Sequence, residues 1–304
     1  MSLPFSSLRS FRYLFLFPVT LFFAPQLPAQ ESPYIVAYSD DMEEPRNLEI
    51  EYFSTFAAQR SGNDFHAFWT EFEYGATSWW TTGLYLDSQT TFGDSTVFTG
   101  IRFENRFRLL KHEHRVNPLF YVEYERKNAA DKILKEVEGH DTSADFLQPN
   151  SLARAQCIQE LELKLILSTT MKGWNFSENT LAAKNLSNQP WEFGYALGAS
   201  RPLSMKSGAP CSLCRRNFTA GLEMYGGLGD RYRFGLHDTS HYLAPVVAWH
   251  FPAGWTLRLS TGFGLNDRSQ PFLLRWGVSR DIEGFGTVLA RLFRERPKSS
   301  RNSP

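Results

Sequence analysis

Carboxylates separated by one residue recur along this chain: Glu49 and Glu51, Glu71 and Glu73, Glu123 and Glu125, Glu160 and Glu162. Two carboxyl groups facing one bond are the machinery of glycoside hydrolysis, and residues i and i+2 of a strand share a face at roughly 6.5 to 7 Å. Four such pairs on four separate segments describe the composition of a wall rather than one active site. Ser240 and His241 raise a second chemistry, ester hydrolysis by an imidazole-activated hydroxyl at a bilayer edge. Sequence neighbours on a strand point to opposite faces, which denies them contact. His241 and His250 are therefore expected as girdle or loop residues, and His112 and His114 as members of a solvated link without a third metal ligand.

Cys211 and Cys214 form Cys-x-x-Cys. In an oxidising compartment this reads first as a local disulfide. A redox pair lacks its βαβ setting and a zinc site lacks two ligands, although zinc shared between chains stays open. Cys157 shares the parity of Leu161 and is expected on an apolar face. Gly221, Gly226, Gly227 and Gly229 lack the Lys-Ser/Thr of a phosphate loop, so they read as positions where a strand bends or packs closely.

The elements that carry these residues announce themselves by alternation. Leu48, Ile50, Tyr52 and Phe56 oppose Glu49 and Glu51, while Leu161, Leu163, Leu165 and Leu167 oppose Glu160, Glu162 and Lys164. A period of two over a dozen residues is a strand with two chemically different faces. Such segments occur near 47–58, 64–76, 79–90, 95–109, 117–128, 154–168, 172–183, 190–202, 216–229, 239–251, 254–266 and 271–281. That predicts an all-β chain folded as a transmembrane antiparallel up-and-down barrel of about 12 strands. Residues 284–293 read equally as a further strand or a terminal appendage.

Three features separate a membrane barrel from a secreted sandwich. Several segments exceed the usual strand length of about five or six residues, the apolar rows named above carry no Lys or Arg, and Trp80, Trp174, Trp191, Trp249 and Trp255 fall near strand ends like an aromatic girdle. Arg9 and Arg12 ahead of the apolar Tyr13–Phe23, followed by a polar exit, form a signal peptide over 1–30. Residues 31–46 follow as a periplasmic leader, 47–293 as the barrel and 294–304 as a basic tail. With Lys+Arg 32 against Asp+Glu 32, no basic footprint for nucleic acid exists.

On this parity the lumen is lined by Glu49, Glu51, Glu71, Glu73, Glu104, Glu123, Glu125, Glu160, Glu162, Glu192 and Glu223, against Arg102, Arg106, Arg108, Lys164, Arg258 and Arg275. The excess of acids favours cations or neutral solutes over anions. An alternative makes the same rows structural pairs within a solid interior. Asp40, Asp41, Glu43 and Glu44 of the leader could enter the lumen beside Arg102 and Arg106, or the leader could stay disordered outside it.

The runs EFEYGATSWWTTGLYLDSQTTFG (Glu71 to Gly93), PWEFGYALGASRPL and GFGLNDRSQPFLLRWGVS, with the preceding SDDMEEPRNLEIEYFSTF, resemble outer-membrane barrels grouped with the meta-pathway phenol-degradation transporters. The resemblance spans most of the mature chain in strand-and-turn patterns. It implies a barrel with a transport role and carries over no functional residue. The expectation is a porin-like barrel of the Gram-negative outer membrane that passes small solutes through a narrow acidic lumen. The alternative is a non-conducting structural or ligand-binding barrel, with 128–153 as its contact surface. Expected partners are the lipid bilayer and a small solute, cationic or neutral aromatic. No nucleic acid, cofactor, metal or enzymatic role is expected, and the oligomeric state is open.

Overall fold

The computed structural model describes residues 32–60, 62–132, 147–187, 189–206, 211–251 and 254–294. The expected signal peptide, most of the expected basic tail and the middle of the 128–153 link lie outside the described residues. Twelve strands follow one another: β1 Leu48–Ala58, β2 Phe65–Thr77, β3 Trp80–Thr91, β4 Thr96–Arg108, β5 Asn117–Asn128, β6 Cys157–Met171, β7 Trp174–Asn185, β8 Trp191–Pro202, β9 Phe218–Asp230, β10 His241–Phe251, β11 Trp255–Gly264 and β12 Phe272–Ile282. Each pairs antiparallel with its sequence neighbours, and β1 pairs with β12 from Leu48↔Ile282 to Ala58↔Phe272. The result is a closed up-and-down barrel. Closure leaves no edge strand, which is what allows a sheet to sit in hydrocarbon with every ladder hydrogen bond made.

Alternation decides the two faces. On β6, Glu160, Glu162, Lys164, Ile166 and Ser168 are buried within the barrel, while Leu161, Leu163, Leu165 and Leu167 form the outer wall. Leu84, Leu86, Phe98, Ile101, Phe103, Phe120, Leu257 and Leu259 continue that wall and are exposed to the surroundings. Phe98 and Ile101 are three apart yet share the outer face, because an extra residue, Thr99, opposes the step from Asp87 to Ser88. Gly100 makes this bulge possible: a Cβ there would lie 2.5 Å from the Arg126 carbonyl oxygen. Ile101→Arg is expected to destabilise the barrel by about 2–4 kcal/mol at midplane depth, and Ile101→Leu very little. Urea unfolding in a lipid bilayer measures both.

The two rims differ. The rim where β1 begins carries the two-residue turns 78–79 and 172–173, the latter with both residues left-handed (Lys172 φ 53, Gly173 φ 80) as a type I′ turn requires. It also carries Trp79, Trp80, Trp174, Trp249 and Trp255, with the Arg201 guanidinium over the Trp174 ring and that of Arg280 over Trp255. Of the expected girdle, Trp191 alone lies at the opposite rim, where β8 starts. That rim holds the links 59–64, 92–95, 129–156, 186–190, 231–240 and 265–271. A short helix, α1 (Asn150–Ala153), lies in the longest of them.

Residues 285–294 are neither strand nor coil but a helix, α2 (Phe285–Arg294), leaving the N-terminal rim directly after β12. Gly284 turns the chain with φ 66, and apolar residues then recur at 285, 288, 289, 292 and 293, a helical rather than a strand period. The barrel therefore ends at Ile282.

Candidate functional site

The inside of the barrel holds the leader. Of the two placements open to the 31–46 leader, inside the lumen or disordered outside it, its described residues take the first: they enter from the N-terminal rim and turn back toward it. Ser32 returns to Ser39 and Asp41 through Ser32 N–H to Asp41 Oδ2 (3.1 Å) and Ser32 Oγ to Ser39 Oγ (3.2 Å). One carboxylate oxygen, Glu223 Oε1 on β9, accepts three consecutive backbone N–H groups, from Ile35 (3.2 Å), Val36 (2.8 Å) and Ala37 (2.8 Å). Charge-assisted bonds to amides of this kind are about twice as strong as neutral ones. The Tyr38 N–H donates to Asn179 Oδ1 at 2.6 Å, its carbonyl accepts from Asn179 Nδ2 at 2.9 Å and from the Ser177 hydroxyl, and the Tyr34 hydroxyl reaches Asn175 Oδ1 at 3.0 Å. Tyr34 lies flat over Gly198, where a Cβ would come within 2.6 Å of its ring.

Apolar inward residues receive this segment. Leu119, Tyr121 and Ile166 pack around Tyr38 and Met42, while Phe53, Trp69 and Tyr85 pack against Ile35. These positions carry the parity of the acids, so they could have been read as inward from alternation alone. Burial, with the Glu104 carboxylate nearby, holds the Tyr38 hydroxyl well above its ordinary pKa, so it stays a neutral donor.

The residues expected to line the lumen lie on the inward face. Glu49, Glu51, Glu71, Glu73, Glu104, Arg106, Glu123, Glu125, Glu160, Glu162, Lys164, Glu223, Arg258 and Arg275 are buried there. Arg102 is only partly covered, and Arg108 and Glu192 sit half-buried at the two rims. They are knitted together rather than lining open water. Arg102 bonds Asp87 bidentately (2.9 and 3.0 Å) and lies 3.6 Å from Glu123. Arg106 pairs with Glu73 and with Glu104 (2.6 Å), Lys164 with Glu162 (2.7 Å), and Arg258 with Glu51 (2.6 Å). Three inward charges on the strands escaped the sequence reading: Asp87, Lys127, which lies 3.3 Å from Glu125, and Asp281, whose carboxylate lies within 4.8 Å of those of Glu43 and Glu49. Aromatic rings complete the network, with the Arg102 guanidinium 4.0 Å from the Tyr85 centroid and Lys164 Nζ 4.3 Å from that of Tyr121.

Of the leader's acids, Asp41 and Glu43 line one cavity with Arg102 and Arg106. Asp40 stays at the rim, where Asn117 Nδ2 donates to its Oδ2 (2.6 Å) and Arg108 to its carbonyl oxygen (3.5 Å). It is the ring of Tyr38 that faces Arg106, at 5.5 Å. Between the leader and the wall of β1 to β4, with β11 beside β12, a cavity of about 150 Å³ remains, the β11 side contributing Arg258. Asp41, Glu43, Glu49, Glu51, Glu71 and Glu73 line it, against the bases Arg102, Arg106 and Arg258. Glu71 is 4 % exposed, and among the described residues no hydrogen bond or ion pair reaches its carboxylate. Its oxygens lie within 4.8 Å of those of Glu73 and Glu104, a carboxylate cluster that already contains the Arg106 cation.

Beyond the leader the lumen holds a layer of buried rings. Phe65, Tyr225, Tyr242 and Leu273 fill the half nearer the opposite rim, with the Tyr225 and Tyr242 rings stacked at 5.4 Å and the buried Arg275 over Tyr225 at 5.2 Å. The described ends of the long link are tied to β3 and the link after it: Asn150 receives Thr91 Oγ1 (3.2 Å) and donates to the Ser95 carbonyl oxygen (2.9 Å), and the Lys132 N–H donates to Gln89 Oε1 (2.7 Å).

The remaining chemical candidates do not assemble. His241 is held by Tyr195, Thr239 and the Leu236 carbonyl, and His250 lies between Thr219 and Thr256. A Ser54–His66 contact of 2.6 Å exists on the outer wall, but Ser54 is 2 % exposed. Its neighbouring amides lie within the strand ladders, so no oxyanion donors face it. His112 and His114 are exposed in the 109–116 link, and the four glycines lie within β9. Cys211 and Cys214, with Cα atoms 5.7 Å apart, are bridged in the link before β9, and Trp249 Nε1 donates to the Ser212 carbonyl at 2.8 Å.

No protein-family model and no curated protein sequence matches this chain. Solved structures do. An outer membrane channel from Pseudomonas putida F1 superposes with a TM-score of 0.50 at 12% identity, over 83% of this chain and 100% of the other. The NanC porin matches at 0.47, with 12% identity over 77% and 98% of the two chains. The CymD monoaromatic hydrocarbon channel matches at 0.41, with 8% identity over 83% and 96%. At these identities the likeness is one of fold, and the first match alone carries it. The closed twelve-stranded barrel, its apolar outer belt and that likeness together place the chain among the outer-membrane β-barrels.

Proposed function

We propose that this barrel passes small solutes across the outer membrane along a narrow acid-walled path beside the leader, with cations and neutral aromatics admitted over anions. The observation that carries the reading is the cavity between leader and β1–β4, whose lining acids outnumber its arginines two to one. Acids on a constricted wall of low polarisability raise the local concentration of cations and repel anions. The rings of Tyr85, Trp69 and Phe53 around the same cavity suit a neutral aromatic guest. The segments that resemble meta-pathway phenol-degradation transporters agree with an aromatic solute. In this reading the N-terminal rim faces the periplasm and the long links face outward, as barrel topology favours.

The test is reconstitution of the mature chain in a planar bilayer under a salt gradient. Cation-favouring reversal potentials are expected, and anion preference would end the reading. Glu71→Gln is expected to lower the cation-to-anion permeability ratio by up to about fivefold, the effect of roughly 1 kcal/mol between unit charges 4 Å apart in water. Because Glu71 has no ion pair among the described residues, the barrel should keep its stability, so a change in selectivity is separable from misfolding. An unchanged ratio would remove Glu71 from the path.

A second reading, a non-conducting barrel that binds a ligand, is favoured by one observation: the leader is held by directed hydrogen bonds on β7 and β9 rather than loosely packed. A folded barrel without current in the same experiment selects it.

A further inference from the structure

The register of the strands sorts the wall around the cavity into layers. Glu49 pairs across the sheet with Glu73, Glu73 with Gly83 and Gly83 with Glu104, an acid layer nearest the N-terminal rim. The next layer is Glu51, Glu71, Tyr85 and Arg102, and the one beyond it begins with Phe53, Trp69 and Asp87. Glu71 therefore stands where carboxylates give way to rings. The Phe53 and Trp69 rings stack at 5.3 Å, and Ile35 of the leader packs against them.

The three bases that line this space are committed. Arg106 pairs with Glu73 and Glu104, Arg258 with Glu51, and Arg102 with Asp87. Glu71, 4 % exposed, receives no hydrogen bond or ion pair among the described residues. It faces the cavity beside Gly83, where a Cβ would lie 3.2 Å from Glu71 Oε1. A carboxylate buried without a partner is costly as an anion unless a cation or a proton meets it. With the arginines taken, a cation at Glu71 comes from outside the chain.

Two observations select the class of that cation. A calcium or magnesium ion takes about six or more oxygen ligands, whereas Glu73 and Glu104, the carboxylates clustered with Glu71, are already held by Arg106. The ring layer lies directly beyond Glu71, and arginines already stand over its faces. Arg102 lies 4.0 Å from the Tyr85 centroid and 5.6 Å from that of Trp69, and Arg258 lies 6.0 Å from that of Phe53. The rings thus offer apolar contact to the body of a guest, and Glu71 a hydrogen-bonded seat for its charge. A cavity of about 150 Å³ admits a ring of benzene's size. Asp41, exposed at the rim, and the half-buried Glu43 line the approach.

We infer that this cavity is a binding site for a small organic ammonium, an alkyl- or arylalkylamine in its protonated form. Its ammonium donates to Glu71, and its apolar group lies against Phe53 and Trp69. The inference rests on the reading of this sector as one that admits cations, and narrows that reading to a substrate class.

The test titrates the folded mature chain in detergent at neutral pH with benzylammonium chloride and with benzyl alcohol, an uncharged molecule of nearly the same shape. Calorimetry follows binding, with the heat of protein-free micelles subtracted. Benzylammonium is expected to bind roughly tenfold or more tightly than benzyl alcohol, the contribution of a charge-assisted hydrogen bond. Glu71→Gln should abolish that preference and leave benzyl alcohol unchanged. Gly83→Ala, which crowds Oε1, should weaken benzylammonium severalfold. Heat-modifiable gel mobility checks the fold of each variant, and where Glu71→Gln fails to fold, Gly83→Ala with the two probes carries the test. Equal affinity for the two probes would mean a protonated Glu71 and overturn the inference. A preference for benzylammonium that survives Glu71→Gln overturns it too, as does calcium binding that requires Glu71 and that benzylammonium does not displace. Benzylammonium binding to a barrel without current upholds the site and ends the passage reading. Cation-favouring current without benzylammonium binding ends the site and leaves the passage reading standing.

Discussion

Deletion of residues 33–45 is expected to leave a folded barrel whose single-channel conductance rises by roughly an order of magnitude, the difference between a side-chain-filled lumen and an aqueous one. The leader contributes to all three buried apolar clusters inside the barrel: Tyr34, Val36 and Ala37 to the largest, Ile35 to the second, Tyr38 and Met42 to the third. The strand ladders do not depend on it: within the barrel its backbone bonds wall side chains, and backbone meets backbone at the rim, where the Arg46 N–H donates to the Gly75 carbonyl oxygen (2.7 Å) and the Gly75 N–H to that of Asn47 (3.2 Å). Deletion frees Glu223, Asn179 and Ser177, and entering water satisfies them, so the lost bonds do not become buried unpaired groups. Two milder variants separate the parts. Glu223→Ala removes the shared acceptor of three amides, and Gly198→Val drives a side chain into the Tyr34 ring, so both should produce frequent brief openings rather than a constant large current. A deletion variant with native heat-modifiable mobility and unchanged conductance would show that the remaining aromatic layer, Phe65, Tyr225 and Tyr242, is the actual closure.

Arg106→Ala is expected to cost about 3–5 kcal/mol, the usual penalty for removing one partner from a buried ionic network. Arg106 is 6 % exposed, bonds both Glu73 and Glu104, and lies under the Tyr38 ring. Its loss leaves two carboxylates facing each other beside Glu71, with no cation at that distance. The penalty is that of the charges left behind rather than the net value of the network. Combining Arg106→Met with Glu73→Gln and Glu104→Gln is therefore expected to restore most of the stability. Urea unfolding of the barrel in lipid measures all these variants. A loss for Arg106→Ala of under ~1 kcal/mol, the scale of an exposed pair, would mean that water reaches the cluster and that this side of the lumen is already open.

These two experiments bear on one question, whether the inner charges belong to a path or to a packed interior. Most acids on the inward face have a specific basic partner, and an aromatic layer lies nearer the rim opposite the leader's entry. The cavity described above lies between the leader and β1–β4 and β11, where no hydrogen bond or ion pair reaches the Glu71 carboxylate among the described residues. Selectivity, if the barrel conducts, is then a property of that one sector rather than of the whole acid-rich wall.

The strands and their two faces are legible in the amino-acid sequence, because a side-chain period of two assigns every residue of an extended segment to one of two environments. Leu161 to Leu167 against Glu160 to Lys164 admits no other regular arrangement, and lipid on one side enforces it by the cost of a buried charge. The same alternation holds Phe53, Trp69, Tyr85, Leu119 and Tyr121 on the acid side, although their chemistry argues for the opposite face. The helical spacing after Gly284 is equally present in the chain, but ten residues of apolar pattern do not distinguish a last strand from a short helix until closure of β12 on β1 leaves no edge to extend. What the sequence could not contain is the fate of the leader and the pairing of the charges. Both rest on contacts between residues far apart in the chain, such as Val36 with Glu223 and Arg258 with Glu51, separated by 187 and 207 positions. Local propensity carries no information about such partners. They exist only once the strands curl into a cylinder and bring opposite walls to either side of a segment that has no regular structure of its own.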